Sequence, residues 1–126
     1  MHDNNARLEY YGAGLNSTVN SEIRLDVSSS KCEVLILNDV FSLKILVDDY
    51  VEAEDFAAFC HSNKKRIELN CAMKKKETNY AGLRKLTWKD KKITVSQGGI
   101  RVEFGEAAVK KLIDIANIIK DTYSRA

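Results

Sequence analysis

The sequence predicts an α+β fold: antiparallel sheets with two helices, arranged as a tandem ββββα pseudo-repeat. Three observations predict it. A hairpin-then-helix pattern occurs twice. Leu43, Ile45 and Val47 alternate into the run Ala53, Phe56, Ala57 and Cys60. Ile100, Val102 and Phe104 alternate into Val109, Leu112, Ile113 and Ala116. The strand positions differ by 57 residues and the helix positions by 56, with almost no identity, so the echo is one of pattern. Around these junctions lie short period-two stretches bounded by Gly, Asn, Asp and Ser, the signature of antiparallel strands. The chain also has no proline, so those four residue types must make its turns.

Residues 1–21 read as a partly flexible polar arm holding a short strand at Leu8–Tyr11, followed by Gly12-Ala13-Gly14. One α+β domain is expected over residues 22–126, with pseudo-repeats of about 22–65 and 66–126. Ile23, Leu25 and Val27 alternate with Arg24 and Asp26, and Ser28-Ser29-Ser30 ends that strand. Val34–Leu37 is continuously apolar, as in a strand covered on both faces. Asn38-Asp39 turns the chain into a strand over Phe41–Val47. Asp48-Asp49 precedes the first helix, with Glu52 three residues after Asp49 in the capping-box relation. Ile67, Leu69, Cys71 and Met73 form the next strand, and Lys74–Gly82 reads as a basic connection. Strands follow at Leu83–Trp88 and Lys91–Val95 around a Lys89-Asp90 turn, then Ser96–Gly99 turns into Ile100–Phe104. The last helix runs from Glu106 to Tyr123, with Ala108, Leu112, Ile115, Ala116, Ile119 and Tyr123 on one face. Ile113 and Ile118 widen that face, so it is expected to be sandwiched or to seal an interface.

A chain of 126 residues can bury one core without disulfides or metals. No apolar run approaches the roughly 18 residues of a membrane span, so no membrane partner is expected. The N-terminus is polar and lacks the basic and apolar regions of a secretory signal. Three irregularly spaced cysteines suit reduced thiols and a cytoplasmic setting. The formal net charge of +2 hides a segregation. Residues 1–60 carry 4 Lys/Arg against 11 Asp/Glu, whereas residues 64–92 carry 11 against 3. A basic block of that density attracts anions, unless the acidic part neutralises it across the fold.

Catalytic and metal chemistry find few residues to use. The two histidines are His2 and His61, and Cys60-His61 with Cys71 matches no zinc spacing and lacks a fourth ligand. Cys60 and Cys71 fall on apolar faces and read as core. Asp48 and Asp49 read as helix caps rather than catalytic carboxylates. Gly12-Ala13-Gly14 is too short for a phosphate loop, and no Walker or Rossmann pattern is present. The chain is therefore expected to be no enzyme, with no catalytic residue, no metal and no cofactor.

The stretch from Lys74 to Thr94 holds the candidate binding residues: Lys74, Lys75, Lys76, Tyr80, Arg84, Lys85, Trp88, Lys89, Lys91, Lys92 and Thr94. Phosphates need cations, and unpaired bases need flat groups to stack on. Side chains alternate along a strand, so Arg84, Leu86 and Trp88 share one face while Leu83, Lys85 and Thr87 share the other. Lys92, Thr94 and Ser96 form a polar face on the next strand. The alternative reading makes Trp88 a core anchor and the lysines a solvated face.

The tandem ββββα arrangement over about residues 22–123 resembles the architecture of the Whirly and PUR single-stranded nucleic-acid binders. Gly99-Ile-Arg-Val-Glu-Phe-Gly-Glu-Ala-Ala-Val-Lys-Lys-Leu112 resembles the last strand and helix of the positive-cofactor-four family. The PUR families' aromatic-rich strands are not evident in the first copy, which carries acids instead. The resemblance implies binding of single-stranded DNA or RNA on a curved sheet, commonly by dimers packed through helices. It carries over to Lys85, Trp88, Lys89, Lys91, Lys92 and Thr94. A further expectation is a homodimer through the C-terminal helix, sealed by Ile115, Ile118 and Ile119. The rival expectation is a protein-interaction module with a protein partner: an adaptor, inhibitor or immunity-type protein from a mobile element, acting through its charged surfaces and C-terminal helix.

Overall fold

The computed structural model describes residues 5–28, 31–97 and 99–125, and is α+β. Its elements are β1 (Asn5–Gly12), β2 (Leu15–Ser28), β3 (Lys31–Leu37), β4 (Ser42–Val47), α1 (Tyr50–Cys60), β5 (Arg66–Lys75), β6 (Thr78–Lys89), β7 (Lys92–Gln97), β8 (Ile100–Phe104) and α2 (Glu106–Ser124). His2, Ser29, Ser30 and Gly98, on which parts of the sequence reading fell, lie outside the described residues.

All eight strands join one antiparallel sheet that closes into a barrel in the order β1 to β8. This corrects the expectation of separate sheets in tandem. β4 pairs with β5 across the supposed repeat boundary (Ile45 opposite Cys71), and β8 pairs with β1 (Phe104 opposite Leu8). Closure gives every strand a partner on both sides over part of its length, which a four-stranded sheet could not achieve alone.

Closure also moves the expected domain boundary. Residues 5–21 are built into the barrel as β1 and the first half of β2, with Leu8 opposite Val19 and Tyr10 opposite Val102. Polar alternation hides this strand in the sequence, because only Ala6, Leu8 and Tyr10 face inward. The basic connection expected over Lys74–Gly82 is likewise a hairpin. Lys75 pairs with Thr78 around a two-residue turn, and β6 starts at Thr78 rather than Leu83. The turn after β6 is Asp90-Lys91, one residue later than expected.

In an up-and-down barrel, alternate connections lie at opposite ends. The β1–β2, β3–β4, β5–β6 and β7–β8 turns share one end. The β2–β3 and β6–β7 turns share the other with α1 and α2. One core unites the inward strand residues with Phe56, Phe59, Leu112, Ile115 and Ile119 of the helices. Cys60 and Cys71 are in this core, as their apolar positions predict. Val34, Leu35 and Ile36 are all buried, as the continuous apolar run predicts.

The first helix begins as its sequence demands. The Asp49 carboxylate accepts from the Glu52 N–H at 2.8 Å, while Glu52 reaches back to the Asp48 N–H at 2.8 Å. Two donors that a helix start leaves orphaned are thereby satisfied. The second helix buries Ala108, Leu112, Ile115, Ala116 and Ile119, and Tyr123 fastens its end to the barrel. The Tyr123 hydroxyl accepts from the Cys32 N–H at 3.1 Å and donates to the Val47 carbonyl.

Candidate nucleic-acid interface

The eleven candidate residues do not form one surface. Strand alternation and the turns sort them into three groups.

The outer face of β6 and β7 gathers Lys85, Lys89 and Lys92. Lys89 and Lys92 are register partners flanking the Asp90-Lys91 turn, and Lys85 is on the same face of β6. Thr87 and Thr94 lie opposite each other between them. Among the described residues Lys85 and Lys89 have no ion-pair partner. Lys92 lies 3.8 Å from the Glu103 carboxylate, which Arg101 also approaches at 3.3 Å. Thr94 is buried, with its hydroxyl unpartnered among the described residues, which corrects its expected role as an accessible contact.

The second group is at the turns. Lys74 and Lys76 are exposed at the tip of the β5–β6 hairpin, and Lys75 lies 5.0 Å from the Tyr10 ring centroid. Lys76 has φ 55° and Lys91 has φ 66°, so both turn lysines occupy left-handed backbone. L-residues pay roughly 1–2 kcal/mol there, and glycine is the usual occupant. β6 is thus bracketed by lysines held where a neutral glycine is cheaper.

The third group faces inward. Tyr80, Arg84 and Trp88 are half-buried on the inner face of β6. Trp88 is a structural anchor: its indole N–H donates to the Phe59 carbonyl at 2.6 Å, and the two rings lie 6.0 Å apart, tilted at 48°. The Phe59 carbonyl, in the last turn of α1, also accepts from the Ser62 N–H at 3.0 Å, so the indole is a second donor that ties β6 to the helix end. The expected stacking platform is therefore used inside the fold. The alternation Arg84–Leu86–Trp88 was legible in the sequence. Which face turned inward was not, because both faces mix polar and apolar residues.

Arg84 mends a gap in the sheet. The β6–β7 register covers only Leu86–Lys89, so β6 from Thr78 to Lys85 runs on without β7 beside it. Arg84 bridges this seam by donating Nε to the Gln97 side-chain oxygen and Nη1 to the Leu83 carbonyl at 2.8 Å. Gly82, with φ 145°, bends β6 beneath that guanidinium. Arg84 also favours the thiolate of Cys71, yet burial dominates and pushes that thiol up to about 12. Burial pushes Cys60 to about 12 as well, so both thiols are held protonated near neutral pH.

The helix face expected to seal a dimer is spent within the chain. Ile115 and Ile119 are buried in its own core, and of the three isoleucines only Ile118 is exposed. No helix among the described residues is long and apolar enough to cross a membrane. Comparison with protein-family models, curated proteins and solved structures finds no match for this chain.

Proposed function

We propose that the protein is a non-enzymatic binder of single-stranded nucleic acid, using the outer face of β6 and β7 and the lysine-bearing turns at either end of β6. The observation that carries this reading is the Lys85–Lys89–Lys92 face, where Lys85 and Lys89 form no ion pair among the described residues, with Glu68 as the register partner of Lys85. The left-handed Lys76 and Lys91 add two cations at the turns, and although Ala13 and Asp90 take the same backbone at φ 52°, we read the lysines there as retained for their charge. Specificity for single strands rests on shape. A twisted barrel wall offers a shallow charged track, suited to a flexible strand whose phosphates can adjust to it.

Fluorescence anisotropy of labelled single-stranded and duplex oligonucleotides, at low and near-physiological salt, tests the reading. Single strands are expected to bind more tightly, with log affinity falling by about 0.7 per log unit of salt for each phosphate engaged. Lys85→Glu with Lys89→Glu is expected to weaken binding without unfolding the barrel, because both side chains are exposed. Absence of binding at low salt, or salt-independent binding, overturns the proposal.

A further inference from the structure

Tyr10-Tyr11 and the Gly12-Ala13-Gly14 turn stand apart from the basic face, and they meet at a cavity. It has a volume of about 550 Å³ and opens between the β1–β2 and β7–β8 turns. Its walls include Tyr11, Asn16, Ser96, Gln97 and Arg101.

Two buried polar groups lie at or against its wall. Gln97 is only 6% exposed, and its side-chain oxygen accepts from Arg84 Nε. An arginine can only donate, so this bond orients the amide and leaves its nitrogen as a fixed donor. Tyr10 is 3% exposed, and its hydroxyl has no partner among the described residues. That hydroxyl lies against Gly12, a lining residue, where a Cβ would stand 2.7 Å from it. Glycine thus keeps bare backbone between an orphaned hydroxyl and the cavity. On the rim, the Arg101 guanidinium lies 4.2 Å from the Tyr11 ring centroid. A Cβ added at Gly14 or Gly99 would meet nothing within 4 Å, so neither of these two residues closes the rim.

We propose that this cavity receives one unpaired nucleobase of a bound single strand. The inference rests on the single-strand reading and names the part of the molecule that reads a base. A base is a flat group with hydrogen-bond acceptors on its edge and an anionic phosphate on its sugar. The cavity offers complementary groups: the Gln97 amide in its wall and, at its rim, the Arg101 guanidinium backed by the Tyr11 ring and shared with the Glu103 carboxylate at 3.3 Å. The basic track leads to it. Lys92, Thr94 and Ser96 alternate along the outer face of β7, and Ser96 is the register partner of Arg101. From Lys92 to Ser96 the strand spans roughly 13 Å.

The test compares a short oligothymidylate with an abasic strand of equal length and charge, against the wild type, Ser96→Trp and Arg101→Gln. Ser96 is exposed on a strand, so a tryptophan there fills the mouth without entering the core; circular dichroism checks that each variant folds. The wild type is expected to bind the thymidylate at least about tenfold more tightly than the abasic strand. Ser96→Trp is expected to abolish that difference, and Arg101→Gln to reduce it. Saturation-transfer NMR with dTMP is expected to give a signal that Ser96→Trp removes. Equal affinity for both strands, with no dTMP signal, overturns the base pocket and leaves the basic face standing. A dTMP signal without affinity for either strand retains the cavity as a nucleotide site and overturns the basic-face reading. Failure of every probe overturns both.

Discussion

The β1–β2 and β5–β6 hairpins use one backbone plan for two chemistries. Each closes with a two-residue turn at the barrel end away from the helices, and each has one arm that outruns its neighbour in the sheet. Around the first tip stand Tyr11, Gly12, Ala13 and Gly14; around the second stand Lys74, Lys75 and Lys76. The first is sealed inward by Tyr10 stacked on Phe41 at 5.5 Å, and by Asn38 donating to Ser21 at 2.9 Å. The second is sealed by the Arg84–Gln97 bond and rooted by Trp88 at its base. The difference teaches that strand pairing sets where a hairpin projects, while its tip is left to vary. Here one tip frames a cavity and the other carries charge.

The sharpest way to break this comparison is to uproot the second hairpin. Trp88→Ala is expected to cost about 3–5 kcal/mol in urea unfolding, because it removes a large packed ring and the hydrogen bond that ties it to the Phe59 carbonyl. Trp88→Phe keeps most of the packing and is expected to lose about 1 kcal/mol. A loss below about 1 kcal/mol for alanine would contradict the anchoring role.

Charge reversal separates the two surfaces. Lys85→Glu with Lys89→Glu is expected to weaken oligonucleotide binding by about 100-fold at low salt. Asn16→Glu with Thr18→Glu on the first hairpin is expected to cost less, because both residues are on β2, away from the basic track of β6 and β7. Equal losses would erase the distinction between the hairpins.

The turn lysines should show opposed effects. Lys76→Gly and Lys91→Gly each relieve left-handed strain and are expected to raise stability by about 0.5–1 kcal/mol. Each is also expected to weaken binding several-fold, so stability and affinity move in opposite directions. A variant that gains stability at no cost in affinity would remove the functional explanation of the strain.

Tyr10→Phe is a smaller test with an informative sign. It deletes a buried hydroxyl that has no partner among the described residues, so the melting temperature is expected to rise slightly or stay level. The smallest effect at neutral pH is from Cys71. Its folded-state thiol titrates at about 12, above the 9.0 of an open chain. Below pH 9 the thiol is protonated in both states and its contribution is intact. As pH rises from 9 toward 12 the unfolded chain loses the proton first, so stability falls. Cys71→Val is expected to flatten that alkaline decline in melts across the range.

Much of the local structure was legible. The capping box at Asp49–Glu52, the strand Phe41–Val47 less its first residue and the buried face of α2 follow from spacing alone, because each is fixed by contacts within a few residues. β1 and the first half of β6 were less legible. Their residues alternate weakly, and they are strands because partners elsewhere in the chain pair with them. The candidate site divided the same way. The lysines could be listed from composition, yet Trp88, Arg84 and Tyr80 turned inward for reasons that lie on α1, β7 and the core.

By itself the sequence determined two amphipathic helices, a set of antiparallel strands, a charge split between the two halves and buried thiols, because periodicity and composition are local properties. Only the tertiary structure decided that the strands close into one barrel, that Arg84 spans a seam and that the basic residues divide among face, turns and interior. The physical reason is closure. Which edge meets which is settled by the summed pairing and burial of eight strands at once, and no single segment contains that information.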